Sequence, residues 1–305
     1  MKILCVCLST TIQRTVTFTN LELGKVNRSQ EYRQDASGKA VNSARVLNQL
    51  EYGCCLTICP VGEKNQDIFI ELAKKDHLNM SCVTIPGFTR ECWTLLDSQK
   101  NTTTEIVSCE PEFNAPLEKE EIKLLKLISE NLQNTDAVLL AGSRPKGWSN
   151  ELCAAIAGIA LDAKKIFLAD IHGQDLLLTL KNCTPSIIKI NDDEFCETFA
   201  DGKKLTEAEL QSAITEQSSK LKNKIVVTRG TKETFAADNG IFTTYPTEKI
   251  VPVNTTACGD SFNAGFLYEY IKTRNFESAL KKGTWCAARN AELKCPGSTL
   301  ASLTT

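Results

Sequence analysis

The sequence predicts an α/β protein with a doubly wound, mostly parallel central sheet flanked by helices, together with a small β-sheet. From about residue 120 onward, apolar runs of strand length alternate with segments of helical periodicity, the order from which parallel sheets are built. Two regions, near 12–36 and 89–108, instead alternate polar and apolar residues, as half-exposed antiparallel strands do. We expect these two regions to join as one small sheet that covers a face of the main domain.

Local periodicity justifies the elements one by one. Apolar runs of strand length predict buried strands, at KILCVCL, CCLTICPVG, SCVTIPG, AVLLAGS, IFLADI, SIIKIN and KIVVTRG. Apolar residues at helical spacing predict helices, at GKAVNSARVLNQL, DIFIELAKKD, EKEEIKLLKLISENL, ELCAAIAGIALDAKK, EAELQSAITEQSSKL, SFNAGFLYEYIKT and FESALKKGTWCAARNAEL. The segment TFAADNGIFTTYP predicts a hairpin, because DNG favours a turn with positive φ. Another turn is expected around Ser98 to Asn101.

Composition limits the classes of protein to which the chain can belong. The 305 residues carry a formal net charge of -2, without the basic stripe of a general nucleic-acid binder. No run reaches the ~20 apolar residues of a membrane span, and the apolar core of MKILCVCL is too short for a signal peptide. We therefore expect a cytoplasmic protein that binds neither nucleic acid nor membranes.

The fourteen cysteines bear on the redox environment of the protein. Most of them stand inside apolar runs such as LCVCL, CCLTIC and WCAA, where Cys serves as a small hydrophobic residue in a reducing compartment. A metal site is the alternative, but the chain has no Cys-x-x-Cys pair, and only His77 and His172 could contribute imidazoles.

The segment NTTACGDSFNAGF, residues 254–266, has small residues and an acid where a helix is predicted to begin, after the β-like run KIVPVN. A helix N-terminus offers unpaired backbone N–H groups and a partial positive charge. Small residues at Ala257, Cys258 and Gly259 let an anion such as phosphate approach that backbone. Asp260 has two interpretations, a helix cap or a general base that accepts a hydroxyl proton. The segment is not a P-loop, because the chain lacks G-x-x-x-x-G-K-[ST].

NTTACGDSFNAGF resembles the C-terminal signature of the PfkB, or ribokinase-like, carbohydrate kinases, which reads G-x-G-D-[ST]-F-x-A-G-F. Three further segments resemble motifs of this family in the family's order, DASGKAVNSARVLNQLEYG (35–53), IIKINDDEF (187–195) and VVTRG (226–230). Within the family, the branch of 1-phosphofructokinase and tagatose-6-phosphate kinase is most similar, through LELGKVNR (21–28), TRECWTLL (89–96) and GSRPKG (142–147).

This resemblance covers essentially the whole chain and implies one ribokinase-like domain over residues 1–305. A β lid formed by about 12–36 and 89–108 is implied to cover the sugar site. The activity implied is the phosphorylation of a sugar phosphate, of the tagatose 6-phosphate or fructose 1-phosphate type, with ATP and Mg²⁺. In relatives the lid often takes part in dimerisation, so a homodimer is expected.

The resemblance also implies roles for individual residues on the catalytic and nucleotide side. Asp260 becomes the general base, and the backbone N–H groups of Ala257, Cys258 and Gly259 form an anion hole. The implied nucleotide-binding residues are Lys189, Asn191, Glu194, Thr228, Gly230 and Asn290. Of these, Asn191 and Glu194 are expected to order Mg²⁺ through water. Without the family, the segment NDDE favours a helix start with solvated acids over a metal site.

The sugar side is implied to consist of Gln13, Arg28, Gly38, Lys39, Asn42 and Arg90. Lys39 is predicted to contact a sugar phosphate and Asn42 to bind hydroxyls. Arg90 matches an arginine that meets the sugar's terminal phosphate, a task suited to a guanidinium that forms two hydrogen bonds. A surface arginine in a hairpin is the alternative. Asp170, at the end of IFLADI, corresponds to a family Asp at the carboxyl end of a strand, where open α/β sheets bind ligands.

The chain departs from the family pattern mainly at glycines and in the sugar pocket. Ala257 replaces a glycine, which costs roughly 1–2 kcal/mol if the position needs positive φ. Gln13 stands where the branch has an acid, and Arg144 replaces a leucine. These departures leave two alternatives open. One is a sugar- or nucleotide-binding regulatory protein with weak or no turnover, and the other is a kinase of another sugar, a nucleoside or a vitamin.

Overall fold

The computed structural model describes residues 1–300, so the last five residues of the predicted 1–305 domain lie outside the described part. The strands are, in chain order, β1 (Ile3–Val6), β2 (Thr11–Phe18), β3 (Glu31–Ser37), β4 (Cys55–Gly62), β5 (Met80–Ile85), β6 (Arg90–Asp97), β7 (Thr102–Val107), β8 (Ala137–Ala141), β9 (Ile166–Asp170), β10 (Ile187–Asn191), β11 (Lys224–Arg229), β12 (Lys232–Asp238) and β13 (Ile241–Tyr245). The helices are α1 (Lys39–Leu50), α2 (Gln66–Lys75), α3 (Glu118–Asn131), α4 (Leu152–Asp162), α5 (Gly173–Asn182), α6 (Asp192–Phe199), α7 (Glu207–Leu221), α8 (Cys258–Thr273) and α9 (Phe276–Ala291).

The central sheet has nine strands in the order β13-β12-β11-β10-β9-β8-β1-β4-β5. Neighbouring strands from β11 to β5 pair in parallel, whereas β12 and β13 add an antiparallel hairpin at one edge. Successive side chains of a strand point to opposite faces, so Ile3 and Cys5 of β1 belong to one buried cluster, and Leu4 and Val6 to the other. The inner strands, such as β1 and β8, are almost entirely apolar because both faces of this sheet are covered.

Helices cover the two faces of the central sheet. Apolar residues of α1, α2, α8 and α9 join the cluster that contains Ile3, and those of α3 to α7 join the cluster that contains Leu4. Each helix contributes a stripe of residues at helical spacing, such as Leu124 and Ile128 of α3. The predicted fold class, a doubly wound and mostly parallel sheet flanked by helices, is confirmed.

The two regions of alternating residues form a separate sheet of four strands in the order β3-β2-β6-β7. Parallel pairing of β2 with β6 joins the two regions and aligns Thr11 with Arg90. On the outer face of this small sheet, the paired residues Trp93 and Ile106 are 37% and 52% exposed. The predicted small sheet is confirmed.

The carboxyl ends of the parallel strands meet at one edge of the central sheet. From β1 the chain continues to β4 and β5 on one side and later returns to β8 on the other, so the strand order reverses between β1 and β8. A crevice at such a reversal is where open α/β sheets bind ligands. The small sheet starts from the same edge, because β2 follows β1 and β6 follows β5.

Two segments differ from the sequence prediction. Helix α5 was not predicted, because it begins at a glycine and only two of its residues are buried. The run KIVPVN, predicted to be β-like, has no regular structure. Its Pro252 cannot donate to a sheet, and Val251 is 76% exposed. Instead, the backbone N–H of Val253 donates to the carbonyl of Ala291 in α9.

All fourteen cysteines are free thiols, and nine of them are buried. Within residues 1–300, no group of three or more His, Cys, Asp and Glu side chains is placed to hold a metal ion. The buried cysteines therefore pack as small hydrophobic residues. A search of the same residues for a helix with the length and apolarity needed to cross a membrane finds none.

Helix α8 begins directly after a residue in the left-handed region. Ala257 has φ of 64° and ψ of 15°, so the position does adopt the positive φ that its place in the motif suggested. A residue with a Cβ atom is strained there by roughly 1–2 kcal/mol. Glycine would be free of this strain, although it loses more backbone entropy on folding.

We expect Ala257→Gly to raise the free energy of unfolding by up to about 1 kcal/mol, because relief of strain exceeds the added entropy cost. Urea denaturation measures the change. Ala213→Gly in the middle of α7 is the matched control, and it should lower the free energy of unfolding by about 1 kcal/mol. Equal destabilisation by the two substitutions would contradict the strain at Ala257.

Two helix-interior glycines should respond to alanine in opposite ways. A Cβ atom on Gly265 of α8 would lie 2.6 Å from both the Cys286 sulfur and the Lys282 carbonyl oxygen of α9, whereas Gly158 of α4 has no such neighbour within 4 Å. Gly265→Ala is expected to lower the free energy of unfolding by about 1–3 kcal/mol through overpacking. Gly158→Ala is expected to raise it by about 1 kcal/mol. Thermal unfolding of both variants tests this packing of α8 on α9, and a neutral Gly265→Ala would refute it.

Candidate active site

The carboxyl edge of the central sheet and the small sheet enclose a cavity of about 420 Å³, called the inner cavity below. Most residues that the sequence singled out line it, namely Gln13, Gly38, Lys39, Asn42, Lys189, Asn191, Glu194, Thr228, Ala257, Cys258, Gly259 and Asp260. Asp170 lines it as well. These residues come from both sheets and from the starts of α1, α6 and α8, so only the fold brings them together.

A second cavity of about 550 Å³, called the outer groove, adjoins the inner cavity. Its walls combine hydroxyls with small or flat apolar side chains, among them Thr231, Ile250, Pro252, Phe262, Ala287, Ala288 and Ala291. Gly230 lines the groove with φ of 62°. The two cavities share Thr228, Thr255, Cys258 and Gly259, so they meet at the first turn of α8.

Hydrogen bonds fix the turn that leads into α8. Asn254 Oδ1 accepts from the backbone N–H of Thr256 at 3.0 Å, and the Thr255 carbonyl accepts from the N–H of Cys258 at 3.3 Å. Asn290 Nδ2 donates to the Thr256 carbonyl at 2.8 Å. The first N–H groups of a helix have no acceptor within it. In α8 those groups lie where the two cavities meet.

The thiol of Cys258 lies in this turn. Asn290 Nδ2 is 3.4 Å from its sulfur, and burial raises the pKa of Cys258 to about 11. A thiol with so high a pKa stays protonated at neutral pH and is a poor nucleophile. Cys258 therefore contributes a small, uncharged side chain where the two cavities meet.

Asp260 lies in the first turn of α8 and is 6% exposed, with that remaining surface toward the inner cavity. Asn42 Nδ2 donates to its Oδ2 at 2.8 Å, and Ser43 Oγ donates to its backbone carbonyl at 2.8 Å. Burial raises the pKa of Asp260 to about 6, although the charge of Lys39 and the Asn42 hydrogen bond oppose this rise. The carboxyl is thus ionised at neutral pH yet basic enough to accept a proton.

The orientation of the Asn42 amide follows from its other partners. Its Oδ1 accepts from Ser37 Oγ at 2.9 Å and from Arg45 Nη1 at 3.1 Å, which leaves the NH₂ group for Asp260. Arg45 is fully buried and also donates to Asp76 at 2.8 Å. Sequence reasoning missed Ser37 and Arg45. The available signal was the spacing of Arg45, three residues after Asn42 on the same helix face.

Asp170, at the carboxyl end of β9, is the most enclosed acid of the inner cavity, with 1% exposure. Its oxygens accept from Lys39 Nζ at 3.1 Å, from Lys189 Nζ at 3.3 Å and from Asn263 Nδ2. Burial would raise the pKa of Asp170, but Lys189 and Lys39 outweigh it and hold that pKa below its usual range. The same contact with Asp170 raises the pKa of Lys39. Acids and bases therefore alternate along the floor of the cavity.

Asn191 and Glu194 face each other at the start of α6. Asn191 Oδ1 accepts from the Glu194 N–H at 2.8 Å, and Glu194 Oε2 accepts from the Asn191 N–H at 2.9 Å. The helix start that the residues suggested without the family is therefore present. Glu194 Oε1 also binds Lys39 Nζ at 3.1 Å, so the ammonium of Lys39 lies between Asp170 and Glu194.

Neutral groups dominate the wall that the small sheet contributes to the inner cavity. Gln13 Nε2 donates to Thr94 Oγ1 at 2.8 Å, and Thr94 lies 3.3 Å from the Thr256 hydroxyl. Thr256 Oγ1 in turn donates to Glu105 Oε1 at 2.6 Å. The sequence analysis did not single out Thr94, Glu105 or Thr256. The chain of bonds connects the small sheet directly to the turn before α8.

Three of the predicted site residues do not line either cavity. Arg90 begins β6 and forms an ion pair with Glu110 at 2.6 Å. Arg28 is exposed in the connection between β2 and β3, at the end of the small sheet away from the inner cavity. Asn290, predicted near the nucleotide, is fully buried, and its Oδ1 accepts from the N–H of Gly297 at 2.6 Å. It stabilises the turn before α8, whereas its helix neighbours Ala287, Ala288 and Ala291 line the outer groove.

Comparison with known structures finds the same fold in several solved proteins. The chain is similar to a tetrameric inhibited form of phosphofructokinase-2 from Escherichia coli (16% identity, TM-score 0.84, covering 95% of this chain and 94% of that one). It is similar to a possible 1-phosphofructokinase from Thermotoga maritima (19%, 0.85, 98% and 94%). It is also similar to a ribokinase from Thermotoga maritima (21%, 0.73, 100% and 98%). At these identities the likeness shows a shared fold.

A family model extends the likeness from fold to sequence. The model described as pfkB family carbohydrate kinase matches residues 2–301, nearly the whole chain. The motifs that line the inner cavity lie within this range. The chain therefore belongs to the pfkB family and is a carbohydrate kinase.

Proposed function

We propose that the chain transfers the γ-phosphoryl group of ATP to a hydroxyl of a sugar phosphate, of the tagatose 6-phosphate or fructose 1-phosphate type, with Asp260 as general base. One observation carries the proposal. The inner cavity and the outer groove meet at the first turn of α8, and Asp260 belongs to the inner cavity alone. Two substrates that enter from the two sides would meet beside a carboxylate and a helix N-terminus.

In the proposed step, Asp260 accepts the proton of the acceptor hydroxyl. The hydroxyl oxygen forms a bond to the γ-phosphorus, the bond from that phosphorus to the bridging oxygen breaks, and ADP leaves with the electron pair. Backbone N–H groups of Ala257, Cys258 and Gly259 stabilise the negative charge on the migrating group, and that of Cys258 gives up its 3.3 Å bond to the Thr255 carbonyl to do so. The pKa of about 6 suits this role, because the carboxylate is present at pH 7 without being too weak a base.

For the nucleotide, the outer groove is the proposed site of the adenine and ribose. Small side chains of α9 and the loop around Pro252 leave a flat apolar slot, while Thr228 and Gly230 reach the ribose side. Lys189 faces Asp170 at the junction and is the proposed partner of the phosphates. Asn290 contributes through the turn that it holds.

Asn191 and Glu194 are the residues proposed to hold Mg²⁺ through water. Glu194 supplies two carboxylate oxygens and Asn191 one amide oxygen, the ligand chemistry that Mg²⁺ prefers, and both residues line the inner cavity, where Lys39 lies between Glu194 and Asp170. An ion that keeps most of its waters needs no cluster of three protein ligands. When bound, Mg²⁺ would neutralise charge on the nucleotide phosphates.

For the acceptor, Gln13, Gly38 and Asn42 are the proposed partners of sugar hydroxyls in the inner cavity. Lys39, Arg90 and Arg28 remain the proposed cations for its phosphate. Of these, Lys39 is bound by two carboxylates, so its contact with the acceptor requires a change of partner.

The outer face of the small sheet is the proposed dimer interface. Trp93, Ile106 and Tyr32 lie exposed on it, and apolar side chains on an open sheet face favour burial against a second copy. The fourteen free thiols favour a reducing compartment, and we propose the cytoplasm.

We expect Asp260→Asn to lower kcat about 10²- to 10⁴-fold, because the asparagine keeps the hydrogen bond to Asn42 but cannot accept the hydroxyl proton. ADP release is measured over a panel of tagatose, fructose and their phosphates, with adenosine and pyridoxal included. Asp193→Asn, which removes an exposed acid from the first turn of α6, is the matched control. Full activity of Asp260→Asn would refute the assignment of the base, and binding without turnover in the wild type would favour a regulatory protein.

The raised pKa of Asp260 also predicts a pH-dependent effect on stability. Its folded pKa of about 6 lies above the reference value of 3.8, so ionisation of this buried acid destabilises the fold above pH 6, and the penalty disappears as pH falls from 6 toward 4. Asp260→Asn should therefore exceed the wild type in unfolding free energy by about 2–3 kcal/mol at pH 8 and by much less at pH 4.5. Urea denaturation at both pH values tests this, and a pH-independent difference would contradict it.

A further inference from the structure

Lys39 is the most accessible cation of the inner cavity. In the described part of the chain two cationic side chains line this cavity, and the side chain of Lys39 is 36% exposed whereas that of Lys189 is 6% exposed. The stem of a lysine is flexible, and its ammonium has three donors. An anionic acceptor that enters the inner cavity therefore has Lys39 as its accessible cationic partner.

The Lys39 ammonium is shared between two carboxylates from different parts of the fold. Its Nζ lies 3.1 Å from Oδ1 of Asp170, at the end of β9, and 3.1 Å from Oε1 of Glu194, in the first turn of α6. Within residues 1–300, neither of these two oxygens has another hydrogen-bond partner. The other oxygen of each carboxylate is held by neighbouring groups. Departure of Lys39 would therefore leave one oxygen of each acid without a partner.

Carboxylate oxygens of this kind also attract a divalent cation. Asn191 and Glu194, proposed above to hold Mg²⁺ through water, line the same cavity as Asp170. While Lys39 lies between Asp170 and Glu194, its charge opposes a second cation beside them. Among the described residues that line the cavity, Lys189 is the one cation that would remain once Lys39 had left. The ammonium and a divalent ion therefore compete for the same negative charges.

We propose that Lys39 is a shared cation that exchanges partners, from the carboxylates of Asp170 and Glu194 to the phosphate of the acceptor, and so couples acceptor binding to divalent-cation binding. The inference rests on the proposed function and deepens it, because it states how two components of one reaction favour each other's binding. An acceptor phosphate that draws Lys39 away uncovers negative charge for the divalent ion. By linkage, the bound ion raises the affinity for the acceptor by the same factor.

Binding of a divalent cation without nucleotide is the first test, with Mn²⁺ as the probe and the free ion measured by electron paramagnetic resonance. Lys39→Gln removes the competing charge, so Mn²⁺ should bind about fivefold or more tightly than in the wild type. Lys39→Arg keeps the charge and should bind Mn²⁺ as weakly as the wild type does. A purely structural role of Lys39 would not separate the two variants by charge. Unchanged or weaker Mn²⁺ binding by Lys39→Gln would overturn the inference.

Two further variants locate the gain. Glu194→Gln added to Lys39→Gln should abolish it, because one of the two uncovered carboxylates is then missing. Lys126→Gln removes an exposed lysine of α3 that pairs with Glu130, and it should leave Mn²⁺ binding unchanged. If the gain persists in the double variant or appears in Lys126→Gln, the uncovered Glu194 carboxylate is not its source, and the inference is overturned.

The coupling itself is measured in the wild type and needs no substitution. Tagatose 6-phosphate, fructose 1-phosphate and fructose 6-phosphate are added in turn, with a correction for the Mn²⁺ that each binds without protein. A sugar phosphate that the enzyme phosphorylates should tighten Mn²⁺ binding about fivefold or more, and unphosphorylated tagatose and fructose should change it less than about twofold. In Lys39→Gln the sugar phosphate should lose this effect.

The outcomes for the coupling and for the proposed function are distinct. Phosphorylation of a sugar phosphate that leaves Mn²⁺ binding unchanged would overturn the inference while the proposed function stands. A wild type that phosphorylates none of the three sugar phosphates would count against the proposed function. The competition between Lys39 and the ion would then be judged by the Mn²⁺ affinity of Lys39→Gln alone, since that measurement requires no turnover.

Discussion

The hydrogen bond from Asn42 to Asp260 is the contact on which the site depends. It joins the start of α1 to the start of α8 and keeps a carboxylate in a position where burial alone would favour the protonated acid. Ser37 and Arg45 fix the amide that donates this bond, and Arg45 is fixed in turn by buried Asp76. The position of the Asp260 carboxylate therefore depends on residues from two helices and from one strand of the small sheet.

The surrounding charges make this burial tolerable. Lys39 and Lys189 both bind Asp170, and Lys39 also binds Glu194, so cations and anions alternate from β9 to α6 along the floor of the cavity. Such pairs add little net stability once desolvation is counted, but removal of one member leaves an unpaired buried charge. The arrangement explains why pKa values move in opposite directions within one cavity, up for Asp260 and down for Asp170.

The sequence predicted those features that depend on local periodicity or on a short motif. Alternation of apolar strands with helices was sufficient for the central sheet, and the pattern at 254–266 located the start of α8. It could not predict that Lys39 turns to Asp170, or that Glu110 lies on Arg90, because those contacts join segments far apart in the chain. Asn290 shows the limit of a motif match. It lies in α9 among residues that line the outer groove, but its own side chain is buried and binds the Thr256 carbonyl.

We propose Asp260, a buried carboxylate at the N-terminus of α8, as the general base. The most direct measurement is a ¹³C NMR titration of protein labelled at aspartate carboxyl carbons, with the Asp260 signal assigned by its absence from the Asp260→Asn spectrum. Because burial raises the pKa of Asp260, its carboxyl should titrate with a midpoint of about 6. A midpoint at or below the reference value of 3.8 would contradict it, because the carboxyl would then be an ordinary solvated or cation-bound acid.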